Sequence, residues 1–238
     1  MERGQQVDAI YTDFSKAFDR VNIDILLHKL SQFGFSHGLV SWFKSFLSSR
    51  VQQVRVGSSR SRPISALSGV PQGGHCSPLL FLIFINDIMV CFRNSHFLLF
   101  ADDLKFYRVI GSVQDIFLMQ EDLNRLIDWC TENGLSLNVE KCNYISFFRR
   151  NKKFDSLYNM NDVNLGYTGI VKDLGIYFDE QLNFNSHVNN IVLKASKVLG
   201  FVLRNCRELS VSTCKKIYLS LVVSVLEWLN DLVSLLQE

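Results

Sequence analysis

Hydrophobic and polar positions along this chain switch between a two-residue and a three-to-four-residue period. Val7-Asp8-Ala9-Ile10-Tyr11-Thr12-Asp13 reads as a strand that ends in a carboxylate. The spacing then turns helical: Ile23, Leu26, Leu27, Leu30 and Phe33 share one face, with Asn22 placed to cap and Gly34 to stop the helix. Ser36 is placed to cap a second helix carrying Leu39, Val40, Trp42, Phe43, Phe46 and Leu47. Val51 to Val56 alternates as a strand does. Ser77 as cap and Pro78 at the first helical position predict the next helix, because proline there gives up only an N–H that has no helical partner. That helix is apolar almost all round from Leu79 to Ile85, which predicts burial.

Further along, Ile116, Met119, Leu123, Leu126 (or Ile127) and Cys130 recur at spacings of three and four, with Gly134 as terminator. Tyr144 to Phe148 reads as a strand, Arg149-Arg150-Asn151-Lys152-Lys153 as a basic turn, and Val171 to Phe178 as another strand region. Val188, Ile191, Ala195, Val198, Val202 and Cys206 mark a long helix. A last helix runs from Val211 to about Trp228 and begins near Ser210 or Ser212. Strands alternating with helices predict a small sheet backed by helices.

Composition adds less than pattern. At 238 residues and 47% hydrophobic the chain is long enough for one or two cores. The net charge of +2 says little about partners, but its distribution is uneven. Arg149 to Lys216 holds eleven Lys or Arg against six Asp or Glu, so this segment carries +5 and the remainder −3. A carboxylate-bearing first part followed by a basic second part suits metal chemistry beside a phosphate backbone. Six scattered cysteines without a Cys-x-x-Cys pair point to free thiols in a reducing compartment and away from a structural zinc site. Met1 to Gln6 lacks an apolar signal core, and the run Leu79 to Ile85 is too short to span a membrane. These features predict a soluble intracellular protein without a membrane partner, compatible with nucleus and cytoplasm.

The chemistry concentrates in Phe100-Ala101-Asp102-Asp103, between the apolar runs His96 to Phe100 and Leu104 to Tyr107. Successive side chains on one strand point to opposite faces, so two adjacent aspartates serve one site only if the chain reverses there. Carboxylates without His or Cys nearby suit a hard, oxygen-seeking cation.

Three further blocks give the pair its context: Asp13-Phe14-Ser15-Lys16-Ala17-Phe18-Asp19, then Ser68-Gly69-Val70-Pro71-Gln72-Gly73, and, after the pair, Gly134 to Lys141. With the Leu174-Gly175-Ile176 segment they make five blocks in an order that resembles the reverse transcriptase of non-LTR, LINE-type retrotransposons, especially jockey-like elements. The resemblance implies an α+β fold: a polymerase palm, a small antiparallel sheet backed by helices and ferredoxin-like, over residues 1–185 with part of the fingers, and the start of a helical thumb over 186–238. It also implies that upstream fingers are missing and that the chain is truncated at both ends, leaving the apolar Leu232 to Leu236 uncovered. An RNA-templated RNA polymerase and an intron maturase fit the blocks less well.

By the same resemblance the chain is an RNA-directed DNA polymerase fragment, acting on an RNA template, a DNA primer and deoxynucleoside triphosphates. Its alternative is a decayed or repurposed fragment that binds nucleic acid without polymerising. Asp13 and Asp102 would bridge two Mg²⁺ ions (Mn²⁺ a possible substitute), with the Phe14 carbonyl as a further ligand and Asp103 beside them. Phe18 would lie under the incoming sugar and exclude a 2′-OH; Gln72 and Gly73 would meet nucleotide and template. Lys141 would protonate departing pyrophosphate, and Lys194, Lys197, Arg204, Lys215 and Lys216 would contact duplex phosphates. The family has glycine where Cys76 or Ser77 stands, and a positive φ there would strain Cys76.

Overall fold

A computed structural model describes residues 4–149, 151–152, 154–206 and 208–227. Arg150 and Lys153 of the basic turn, Trp228, and the apolar run Leu232 to Leu236 lie outside the described residues. The chain falls into two compact units, Met1–Thr168 and Gly169–Glu238, a division ahead of the Leu174-Gly175 segment.

The first unit runs β1 (Gln6–Thr12), α1 (Ala17–Arg20), α2 (Ile23–Gln32), α3 (His37–Leu47), β2 (Arg50–Gln52), β3 (Arg55–Val56), β4 (Ser59–Arg60), β5 (Ile64–Ala66) and α4 (Ser77–Ile85). A 3₁₀ turn (Asn86–Cys91) leads to β6 (His96–Phe100), β7 (Asp103–Ile110), α5 (Val113–Glu132), β8 (Asn143–Phe147), β9 (Asn159–Met160), β10 (Val163–Asn164) and β11 (Gly166–Tyr167). Five strands form one sheet in the order β11-β8-β1-β7-β6. Four pair antiparallel; β11 joins β8 in parallel, so the sheet is mixed rather than purely antiparallel.

β1 is the central strand, and its alternation is two-sided. Gln6, Asp8, Ile10 and Thr12 are buried; Val7, Tyr11 and Asp13 are partly open. Ile10, Leu104, Phe106 and Tyr144 from three strands join Phe81, Phe84, Leu123 and Leu126 from α4 and α5 in one apolar cluster. On the opposite face Ala9 and its partner Ile145 are buried as well, and Tyr11 and Asp13 stay partly open towards the end of β1.

Local signals set the helix ends. The Asn22 side chain accepts from the Ile25 N–H at 3.1 Å and Ser36 from the Leu39 N–H at 3.4 Å, as their cap positions predict. Three expectations change. Cys76, not Ser77, is the N-cap of α4, and its φ of −83° removes any strain at that position. α4 is also not buried all round: Leu79 and Leu82 are 57% and 49% exposed, because the helix covers the cluster with one side only. A uniformly apolar helix has no pattern to say which side that is. The predicted strand from Val51 to Val56 divides into β2 and β3, two short pieces of one hairpin.

Buried polar groups tie the unit together. Lys29 Nζ donates to the Phe84 carbonyl and to Asp87 Oδ1, both at 2.7 Å. Burial pulls its pKa down, against the pairing with Asp87. The fully buried Asp122 accepts from the Arg93 and Asn94 N–H groups and from Arg125, fixing the loop that feeds β6. Asp8 is likewise fully buried and accepts from Gln6 at 2.9 Å and from the Tyr158 hydroxyl at 2.9 Å.

All six cysteines are free, and Cys91, Cys130 and Cys142 are buried. Burial pushes the Cys91 thiol up to about 11 and Cys130 up to about 12. Iodoacetamide at mildly alkaline pH should therefore modify Cys76, Cys206 and Cys214 in the native chain. Cys91 and Cys130 should react at least about 100-fold more slowly until denaturant is added, as mass spectrometry would read. The folded state keeps these two protons to higher pH than the unfolded chain, so stability should fall as pH rises from about 9 towards 12.

The second unit holds the hairpin β12 (Ile170–Asp173) and β13 (Ile176–Asp179), α6 (Asn185–Asn205), α7 (Val211–Tyr218) and a π-type turn (Leu219–Val223). The strand region predicted from Val171 to Phe178 is thus a hairpin, turning at Leu174 and Gly175 with φ of 44° and 94°. Ala195, Val202 and Val222 form its own small core. His187 is buried and its Nδ1 accepts from the Tyr177 N–H at 3.4 Å; burial and Lys194 hold its pKa low. Among the described residues no helix is long and apolar enough to cross a membrane.

Candidate active site

Antiparallel pairing brings the distant carboxylates to one edge of the sheet. β1 pairs with β7 in a register that sets Thr12 opposite Leu104, and the Thr12 hydroxyl donates to the Leu104 carbonyl at 3.0 Å. Asp13 is the residue that follows β1, and Asp103 is the first residue of β7. β6 and β7 pair up to Phe100 and Asp103, leaving Ala101 and Asp102 as a two-residue turn. The reversal predicted at the aspartate pair is therefore present. Ala101 adopts φ 53°, a conformation that favours glycine, so the tight turn carries strain beside the carboxylates. Lys105 Nζ lies 5.9 Å from the centre of the Tyr11 ring, on the same face as Asp13 and Asp103 by alternation.

The segment 136–142 clamps Asp13 from the other side. The Asn138 N–H donates to the Asp13 carbonyl at 2.8 Å, the Ser15 N–H to the Ser136 carbonyl at 2.8 Å, and Phe14 bridges to Leu137. The Asp13 N–H donates to the Cys142 sulfur at 3.4 Å. Burial raises the Cys142 thiol, the Asp13 N–H opposes that, and the thiol stays protonated. Lys141 Nζ stands 3.5 Å from Asp13 Oδ2. Lys141 was singled out by sequence alone; its ion pair with Asp13 was not. Cys142, the residue after the Gly134 to Lys141 block, was missed, and Asn138 stood inside that block without a role assigned to it.

Phe18 lies in α1, its ring stacked on Phe81 with centroids 4.3 Å apart. The glycine-rich loop docks on this same turn. The Val70 N–H donates to the Phe18 carbonyl at 2.9 Å, the Gly69 N–H to Val21 at 2.8 Å, and the Ser68 hydroxyl to Asp19 at 2.8 Å. Gln72 Nε2 donates to Asp19 Oδ1 at 3.0 Å, which binds the second block to the first. Gly73 adopts φ 80° with open space where a Cβ would go. Arg50 donates to the Ser68 and Gly69 carbonyls at 2.9 and 2.6 Å and lines a pocket of about 540 Å³ with Asp19 and Gln72. That pocket does not include the three carboxylates.

Oxygen donors alone make up the set at the strand ends, which suits a hard cation. Among the described residues, however, no three His, Cys, Asp or Glu side chains converge closely enough to hold a metal ion unaided. In the second unit Lys194, Lys197, Arg204, Lys215 and Lys216 are all exposed on α6 and α7.

A family model described as reverse transcriptase (RNA-dependent DNA polymerase) matches residues 2–202. The chain belongs to the reverse transcriptase family. It is 29% identical over 204 residues to the RNA-directed DNA polymerase from mobile element jockey of Drosophila melanogaster, covering 80% of this chain and 22% of that protein. To the probable RNA-directed DNA polymerase from transposon BS of the same organism it is 30% identical over 190 residues, 76% of this chain and 21% of that one. The resemblance read from the five blocks is borne out, and the chain spans about a fifth of the length of these relatives. Among solved structures, apo telomerase from Candida tropicalis lacking its C-terminal domain superposes with a TM-score of 0.54 at 13% identity, over 75% of this chain and 35% of that one. Telomerase from the same organism with a fragment of telomeric RNA also gives 0.54 at 13%, over 97% and 39%. At that identity the likeness concerns the reverse transcriptase fold.

Proposed function

We propose that this reverse transcriptase chain carries the polymerising centre of a mobile element's RNA-directed DNA polymerase, adding deoxynucleotides to a primer 3′-OH on an RNA template. The observation that supports the reading is the pairing of Lys141 with Asp13 at the end of β1, where the paired strand β7 begins at Asp103 after the Ala101-Asp102 turn. Residues 1–185 would be the ferredoxin-like palm with part of the fingers, and 186–238 the start of the thumb.

Asp13, Asp102 and Asp103, with the Phe14 carbonyl, would hold divalent cations, Mg²⁺ by preference and Mn²⁺ as substitute. A pair of ions would stabilise the attacking and leaving oxygens of an in-line displacement. Lys141 would keep its proton on Nζ until the pyrophosphate leaves, then act as general acid. Phe18, held by Phe81, would meet a 2′-OH with its ring and reject ribonucleotides. Gln72 and Gly73, fixed by the Asp19 contact, would border the nucleotide. Lys194, Lys197, Arg204, Lys215 and Lys216 would meet duplex phosphates.

The second reading, a chain that binds nucleic acid without polymerising, is favoured by one observation: among the described residues no three His, Cys, Asp or Glu side chains converge closely enough to hold a metal ion. Primer extension decides between them. The purified chain is expected to extend a DNA primer on an RNA template with Mg²⁺ and deoxynucleotides, and to stop when EDTA is added. Retained duplex binding without extension would establish the second reading instead.

A further inference from the structure

Between Asp24 and Asp87 the sequence holds no carboxylate, yet it holds six Lys or Arg. Four of these, Arg50, Arg55, Arg60 and Arg62, fall on one hairpin. Its base pairs Arg50 with Ala66 and Gln52 with Ile64; its tip pairs Arg55 with Arg60 and Val56 with Ser59 around a turn at Gly57, φ 59°. Every residue from Val51 to Ser65 is exposed, so the hairpin is an arm without a core of its own. Such a two-stranded ribbon is only marginally stable. Placing two arginines directly opposite one another costs stability further, and among the described residues no ion pair engages Arg55, Arg60 or Arg62. Arg55 Nε donates to the Gly57 carbonyl at 3.0 Å, but among the described residues no carboxylate pairs with these three arginines; a polyanion would balance them.

We propose that the arm of residues 50–66 grips the phosphate backbone of the single-stranded RNA template next to the glycine-rich loop. This rests on the reading of the site as a template-directed polymerase. The arm's base is fastened to that loop, because the Arg50 guanidinium donates to the Ser68 and Gly69 carbonyls. Arg50, Val51 and Gln52 at the arm's base line one pocket with Gln72, so a strand leaving Gln72 would run along the arm that carries Arg55, Arg60 and Arg62. Residues 50–66 include no aromatic side chain, so the arm has no platform for base stacking. Contact runs through charge to phosphates and is indifferent to sequence.

The test is fluorescence anisotropy of the whole chain on three labelled probes: a primed RNA with a single-stranded template overhang, the same duplex made blunt, and the overhang made of DNA. The triple variant Arg55→Gln, Arg60→Gln, Arg62→Gln should bind the RNA overhang probe about 10- to 100-fold more weakly at 0.1 M salt, with a salt slope smaller by about 2. Binding to the blunt duplex should not change, and the matching Arg→Lys triple should keep most of the slope. The melting temperature of the glutamine variant should hold or rise, since the opposed charges are gone. An unchanged slope, an equal loss on the blunt duplex, a loss confined to the DNA overhang, or no binding by the parent chain would each overturn the proposal. Extension of a primer by the parent chain is read separately. Extension with an indifferent arm sinks the arm alone; an arm effect without extension sinks the polymerase reading.

Discussion

Asp13→Asn is expected to abolish metal-dependent nucleotide addition while leaving the fold in place. The two halves of that expectation come from different atoms of the same residue. Its backbone is gripped by the Asn138 N–H at the carbonyl and by the Cys142 sulfur at the amide, and neither contact involves the carboxylate. The side chain, by contrast, forms an open ion pair with Lys141, and breaking an exposed pair changes stability little. An amide keeps the shape but loses the charge that would hold a cation and the paired lysine. Addition should fall by about 100-fold or more, roughly 3 kcal/mol on the barrier, with an unchanged thermal melt. Activity that survives at the parent level would remove Asp13 from the metal site.

Gly69→Ala should be the most damaging single change in the glycine-rich loop. A Cβ built there would stand 2.6 Å from the Asp19 carbonyl oxygen and 2.7 Å from its Cα, and φ is +83°. Those are backbone atoms of the turn that carries Phe18, so they cannot swing aside as a side chain would. The Gly69 and Val70 N–H bonds to Val21 and Phe18 would be lost with the docking. Gly73→Ala is the control: φ is nearly the same at +80°, but nothing lies within 4 Å of its Cβ position. Gly73→Ala should cost only the left-handed conformation, about 1–2 kcal/mol, and Gly69→Ala roughly 3 kcal/mol or more. Equal losses in chemical denaturation would show that the close approach at Gly69 carries no weight.

Features settled within a few residues were legible from the chain alone. Asn22, Ser36 and Ser210 each cap a helix through an N–H three positions on, and the aspartate pair turns where two apolar runs meet. The mistakes are also local. Cys76 took the cap expected of Ser77, and α4 offered no polar side to show which leucines face out. The apparent strand from Val51 to Val56 is broken because both its faces are exposed and no core fixes one register.

What the sequence determined by itself is the kind of chain this is: five ordered blocks, three carboxylates at strand ends, and helices whose starts and stops are written beside them. Only the tertiary structure decided which groups meet. Asp13 and Cys142 touch across 129 residues, and Gln72 and Asp19 across 53. The insertion of β1 between β7 and β8 sets the end of β1, just before Asp13, against the start of β7 at Leu104. Capping and turning depend on atoms a few bonds apart, so residue identity is enough to specify them. Contacts between distant segments form only when burial of the shared core outweighs the entropy of closing the loops between them, and no short stretch of sequence contains that balance.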